Sequence, residues 1–219
     1  MKILVNIDIH AGRVVKYFVF VDLVLLSGWG LIDPIFSIFI MNRVAGSTLV
    51  TVGIAVALYW LVKSVLQLPF ANYLDRTPGE KDDFYVLIVG LCVTAFAAFS
   101  FVAVHEIWQL YAVQVVKAVG FALYGATWPA IFSRHLDKDR VSFDWTLDSI
   151  AVGLAAGASG FIGSVVANYF GFPAVFLFGG FLALVSALIL IAVPDLMLPP
   201  RTTQPNTGRE RQLPVNKPQ

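Results

Sequence analysis

The chain has 219 residues, 58% of them hydrophobic and 13% charged, with a net charge of +1 and a mean hydropathy of +0.78. A soluble domain carries about 25% charged residues, so this composition excludes an ordinary soluble fold. The single cysteine, Cys92, excludes an internal disulfide and CxxC chemistry, and His10, His105 and His135 stand apart in loops, so neither metal nor cofactor is expected.

A helix crossing a hydrocarbon core of ~30 Å needs about 20 apolar residues, and six stretches meet that requirement. After an N-terminal segment, residues 1–16, the first runs Tyr17–Met41. It starts too late for a cleavable signal, and no small-residue cleavage site follows it. The others are Leu49–Leu74, Phe84–Val104, Trp108–Phe132, Leu147–Phe170 and Ala174–Val193. Residues 194–219 are Pro-, Arg- and polar-rich without apolar periodicity, and are read as a disordered tail. No ten-residue apolar–polar alternation of a β-barrel occurs. The fold class is all-α: a bundle of six transmembrane helices over residues 17–193.

Lys and Arg concentrate in cytoplasmic loops. Lys2, Arg13 and Lys16 precede the first helix, Arg76 and Lys81 follow the second, and Arg134, Lys138 and Arg140 follow the fourth. Arg201, Arg209, Arg211 and Lys217 follow the sixth, while the opposite loops hold only Arg43. Both termini are therefore expected in the cytoplasm, in a plasma or inner membrane. The net charge is a by-product of this topogenic signal, and no nucleic-acid partner is expected.

Charge within a span is costly, roughly 2.5–3.5 kcal/mol for Asp or Lys at the centre. The third and sixth helices carry none, which suits lipid-facing positions. Asp22, Leu26, Trp29, Asp33 and Ser37 form one stripe on the first helix, and Tyr59, Lys63, Gln67 and Phe70 one on the second. Gln114, Lys117, Phe121, Tyr124 and Trp128 share a face of the fourth, and Gly153, Gly157, Gly160, Ser164 and Asn168 give the fifth a small face that reads as packing. At 1.5 Å per residue, Asp33 and Lys117 lie about 24 and about 22 Å from the inner ends of their helices, level enough to pair. Asp22 reaches the inner interface, pairs with Lys16, or faces the cleft. Lys63 has no level partner unless it reaches Asp22.

Two fragments recur in order. Gly30-Leu-Ile-Asp-Pro34-Ile-Phe-Ser37 resembles Gly125-Ala-Thr-Trp-Pro129-Ala-Ile-Phe-Ser133, and Val52-Gly-Ile-Ala55 resembles Val152-Gly-Leu-Ala155. They match the first and second helices to the fourth and fifth, which run the opposite way. An inverted 3+3 repeat is therefore expected, a recurrent construction in secondary transporters.

The loop after the second helix, Ala71-Asn-Tyr-Leu-Asp75-Arg76-Thr-Pro-Gly79-Glu-Lys81, is similar to motif A of the major facilitator superfamily, Gly-x-Leu-Ala-Asp-Arg-x-Gly-Arg-Lys. Ala71 stands for the first glycine, one residue is inserted before Gly79, and Glu80 replaces an arginine. Lys117-Ala-Val-Gly120 running on to Trp128-Pro129 resembles motif B, with Lys117 adjacent to the position of the family's arginine. Gly157-Ala-Ser-Gly160-Phe-Ile-Gly163 is similar to the glycine-rich fifth helix but lacks the antiporter proline. From Lys16 to Val193 the chain resembles one six-helix half of such a transporter.

The resemblance implies a secondary active transporter, or half of one, moving a small molecule or ion through the bilayer by alternating access. A homodimer or a pairing with a second six-helix chain would complete it. Asp75 and Arg76 would latch the cytoplasmic gate. Lys63 and Lys117 would contact or balance an anionic group, Asp22 or Asp33 would carry a proton, and Gln67, Gln114, Trp29 and Tyr124 would line the site. No phosphate-binding Gly-Lys-Ser/Thr loop occurs, and the spans hold no histidine, so no enzyme is expected. The alternative is a non-transporting subunit that binds another membrane protein, in which Asp22 and Asp33 neutralise both lysines.

Overall fold

A computed structural model describes residues 12–76 and 80–193. Among them, six helical segments are long and apolar enough to cross a membrane. The first span is α1 (Arg13–Ile32), a 3-10 turn at Asp33–Ile35 and α2 (Phe36–Arg43). Pro34 explains the interruption: it brings no N–H, and its ring clashes with the carbonyl four residues back. The remaining spans are α3 (Leu49–Arg76), α4 (Glu80–Ser100) with its 3-10 extension Phe101–Ala103, α5 (Ile107–Arg134), α6 (Val141–Phe170) and α7 (Phe172–Ala192). Residues 1–11, the motif A residues 77–79 and the predicted tail 194–219 lie outside the described residues.

Local chemistry sets the joints. Gly46 and Gly171 have φ of 71° and 81°, a region most side chains avoid. They turn the chain into α3 and α7, and Pro173 occupies the first turn of α7. Glu106 and Gln109 form a capping box at the start of α5. Ala45 N–H donates to the His105 carbonyl at 2.9 Å, tying the ends of the first and third spans together.

Three helices begin four or more residues earlier than hydropathy implies. α1 starts at Arg13 rather than Tyr17, α4 at Glu80 rather than Phe84, and α6 at Val141 rather than Leu147. Apolar stretches mark only the part of a helix inside hydrocarbon, whereas backbone hydrogen bonding carries it on into the interface. The earlier starts bring Asp83 and Asp144, both buried, into helices.

Five pairings dominate the packing: α1 with α6, α3 with α5, α1 with α7, α4 with α5, and α4 with α7. The third and sixth spans were expected to face lipid. Their outer faces, with Phe96, Phe178 and Phe181, are exposed, but their inner faces bury Leu87, Leu91, Ala98, Ala183 and Ala187. Freedom from charge does not free a helix from packing, because small residues let backbones approach. The least covered spans are the second and fifth, with 11% and 22% of their most apolar windows buried, against 44–50% in the others.

The glycine face expected to pack α6 is displaced. The buried stripe is Asp144, Asp148, Ala151, Ala155, Ser159 and Gly163. A Cβ on Gly160 meets Pro34 at 3.2 Å and one on Gly163 runs into the Leu31 backbone, whereas Gly153 and Gly157 have nothing within 4 Å. Aromatic clusters seal both ends of the bundle. Phe36, Phe39, Phe101 and Phe176 lie at one, with Phe39–Phe176 centroids 4.7 Å apart. Phe18, Trp128, Phe132 and Trp145 lie at the other, with Trp128–Phe132 at 4.6 Å.

Candidate functional site

Between the aromatic clusters lies a cavity of about 420 Å³ bounded by the first span, α3 and α5. It falls within the ~300–1,000 Å³ of small-molecule sites. Its wall takes Leu26, Trp29, Asp33 and Ser37 from the first-span stripe, Tyr59 and Lys63 from α3, and Gln114, Lys117, Phe121 and Tyr124 from α5. Helical periodicity brings these residues to one surface, and Lys63 and Lys117 sit well inside their helices.

Lys117 Nζ donates to Asp33 Oδ1 at 3.2 Å. The two ends differ sharply: the lysine side chain is 9% exposed and the aspartate 63%. The 3-10 turn at Pro34 presents the carboxylate from the open side. Around the ammonium, ring centroids of Trp29, Tyr59, Phe36 and Phe121 lie at 4.1, 4.8, 5.9 and 5.9 Å. Each desolvated cation–π contact is worth up to about 2 kcal/mol, so the cage and the ion pair together offset burial of the charge.

Lys63 has a different setting. Its Nζ lies 4.9 Å from the Trp60 centroid and 5.9 Å from Phe121. Among the described residues no carboxylate lies within ion-pair distance of it. Trp60 was not among the predicted lining residues. The spacing of Val56, Trp60 and Lys63, all on the cavity wall, is the helical signal that finds it.

Asp22 stands below the cavity, 2% exposed. It pairs with neither Lys16, which is exposed, nor Lys63, but accepts a hydrogen bond from the Tyr124 hydroxyl. Asp148, on the buried stripe of α6, is close enough to interact electrostatically with both. Sequence reasoning passed over Asp148 because it sat at the edge of an apolar stretch. Its spacing of four and three residues from Asp144 and Ala151 placed it on the buried stripe.

Gln67 is not on the cavity wall. Its amide Nε2 donates to the Gly125 carbonyl at 3.0 Å, clasping α3 to α5. Trp128 is buried in the aromatic cluster instead. Trp29 Nε1, Gln114 Oε1, Trp128 Nε1 and Asp148 Oδ1 are buried without a hydrogen-bond partner among the described residues. Asp75 and Arg76 end α3 and are exposed. Arg134 Nη1 pairs with the buried Asp83 at 2.5 Å. Arg134 entered the sequence reading only as a topogenic charge.

A six-helix bundle with a charged, aromatic-lined cavity open on one side has the form of a membrane carrier. A family profile described as Major Facilitator Superfamily matches residues 18–217, and the chain belongs to that superfamily. It is accordingly a multi-pass membrane transport protein. No curated protein matches it significantly.

Proposed function

We propose that the chain is one six-helix half of a secondary active transporter, binding a small solute in the cavity and exposing it alternately to the two sides. The observation that carries this reading is Lys63, a cation on the wall of a cavity of about 420 Å³, with no carboxylate in ion-pair range among the described residues. A charge kept in a span at such cost marks a ligand or ion path. A non-transporting subunit would neutralise Lys63 with Asp22, but Asp22 accepts from Tyr124 instead.

The second half is a second copy or another six-helix unit, facing the sparsely covered α3 and α6. An inverted repeat is supported by the five main pairings: exchanging the first, second and third spans with the fourth, fifth and sixth leaves that set unchanged. Asp22, tied to the cavity through Tyr124, is the proton carrier in this scheme. Asp75 and Arg76 act at the cytoplasmic gate, with both termini on that side.

The test is solute uptake and efflux in proteoliposomes containing the chain, with and without an imposed pH gradient. Lys63→Ala should abolish transport while insertion and monodispersity stay normal. Transport undiminished in that variant would remove Lys63 from the path. Absence of transport of every solute tried, with or without a gradient, would favour the subunit reading.

A further inference from the structure

We propose that the cavity selects a small monocarboxylate with an apolar, ring-sized body, its carboxylate on Lys63 and its body against Trp60 and Phe121. This rests on the cavity being the transport site and adds the class of solute.

Charge decides the headgroup. The cavity wall carries three charged side chains, Lys63, Lys117 and Asp33. Lys117 and Asp33 neutralise each other at 3.2 Å, so the surplus is one positive charge, held by Lys63. A monoanion cancels it. A dianion brings a second charge into low dielectric with no cation left to meet it, and each unpaired charge there is costly.

The aromatic lining does not turn the site toward ammonium ligands. Rings arranged about a cation commonly recognise quaternary or protonated amines, but here the protein's own ammoniums occupy them. Lys117 lies over Trp29 and Tyr59 at 4.1 and 4.8 Å, and Lys63 over Trp60 at 4.9 Å. An incoming amine would meet like charge instead of an open ring face.

The rest of the wall sets the body. Leu26, Val56, Trp60 and Phe121 supply apolar surface to the cavity wall that holds Lys63, with Trp60 and Phe121 next to its ammonium. The volume holds about fourteen waters at ~30 Å³ each, room for one substituted ring and too little for a long amphiphile.

The experiment compares ring compounds of one size that differ in charge. Calorimetric binding of benzoate, benzyl alcohol, benzylammonium and phthalate is measured on the purified chain in lipid nanodiscs, with empty nanodiscs as the blank. Benzoate should bind about tenfold or more tighter than the other three, the worth of one charge-assisted hydrogen bond. Lys63→Gln should erase its advantage over benzyl alcohol, and Lys63→Arg should keep it. Equal melting temperatures of the variants separate lost recognition from lost fold. Tighter binding of phthalate or benzylammonium, a preference indifferent to Lys63→Gln, or no binding of benzoate each overturns the proposal. Proteoliposome transport of a solute of another class, lost in Lys63→Ala, would sink the solute assignment and leave the transport site standing.

Discussion

Lys117 is 7% exposed, among four aromatic rings and one carboxylate, and the asymmetry of its ion pair makes a directional prediction. Asp33→Asn strands a sealed ammonium and should destabilise toward the ~3–5 kcal/mol of a broken buried pair. Lys117→Met leaves a carboxylate that is 63% exposed, and should cost about 1 kcal/mol, as for a surface pair. Thermal unfolding in one detergent compares them, and the double variant should recover much of the Asp33→Asn loss. A larger loss in Lys117→Met would mean the carboxylate is the sealed partner. Tyr124→Phe removes the donor to buried Asp22. It should cost about 1–3 kcal/mol in the same assay, and Asp22→Asn in its background should add little. The pairing of Asp33 with Lys117 was legible from equal depth on two polar stripes. The Tyr124–Asp22 bond was not, because a phenol at helical spacing does not announce which neighbour it reaches.

Among the elements, α6 tests how small residues are used. Gly163 abuts the Leu31 backbone, while Gly157 meets nothing within 4 Å. Gly163→Ala should force α1 and α6 apart and lower the melting temperature sharply, with a loss of about 1–3 kcal/mol for overpacking. Gly157→Ala should be neutral or stabilising, by up to about 1 kcal/mol from helix propensity. Equal effects at the two positions would contradict the packing stripe through Ala155, Ser159 and Gly163. The periodicity of Gly153, Gly157 and Gly160 is real in the sequence, but a helix offers several such lines. Which of them meets a neighbour depends on the rotation of α6 against α1, which the α6 residues alone do not encode.

For the whole molecule, the thin cover on α3 and α6 has a measurable consequence. Gly53 and Gly157 each have open space where a side chain would stand. In a chain with Cys92 replaced, cysteines at these two positions should cross-link between molecules in membranes if two copies complete the transporter. Cysteines at Ala98 and Ala183, buried within the bundle, should not. Intermolecular products absent at every expression level, with no co-purifying membrane protein, would end the two-copy assembly. Two copies would share one orientation, because a strong Lys and Arg bias favours a single one.

Six apolar stretches and the absence of β alternation determined the fold class, since a bilayer requires every backbone polar group to be satisfied within its own helix. The stripes through Trp29 and Asp33, Tyr59 and Lys63, and Gln114, Lys117 and Tyr124 determined most of the cavity wall, since 3.6-residue periodicity brings such positions to one face. Tertiary structure alone decided that Gln67 clasps Gly125, that Asp22 turns to Tyr124, and that Asp83 holds Arg134. Those outcomes depend on helix rotation, depth and crossing, and no single helix carries them because each is a relation between two.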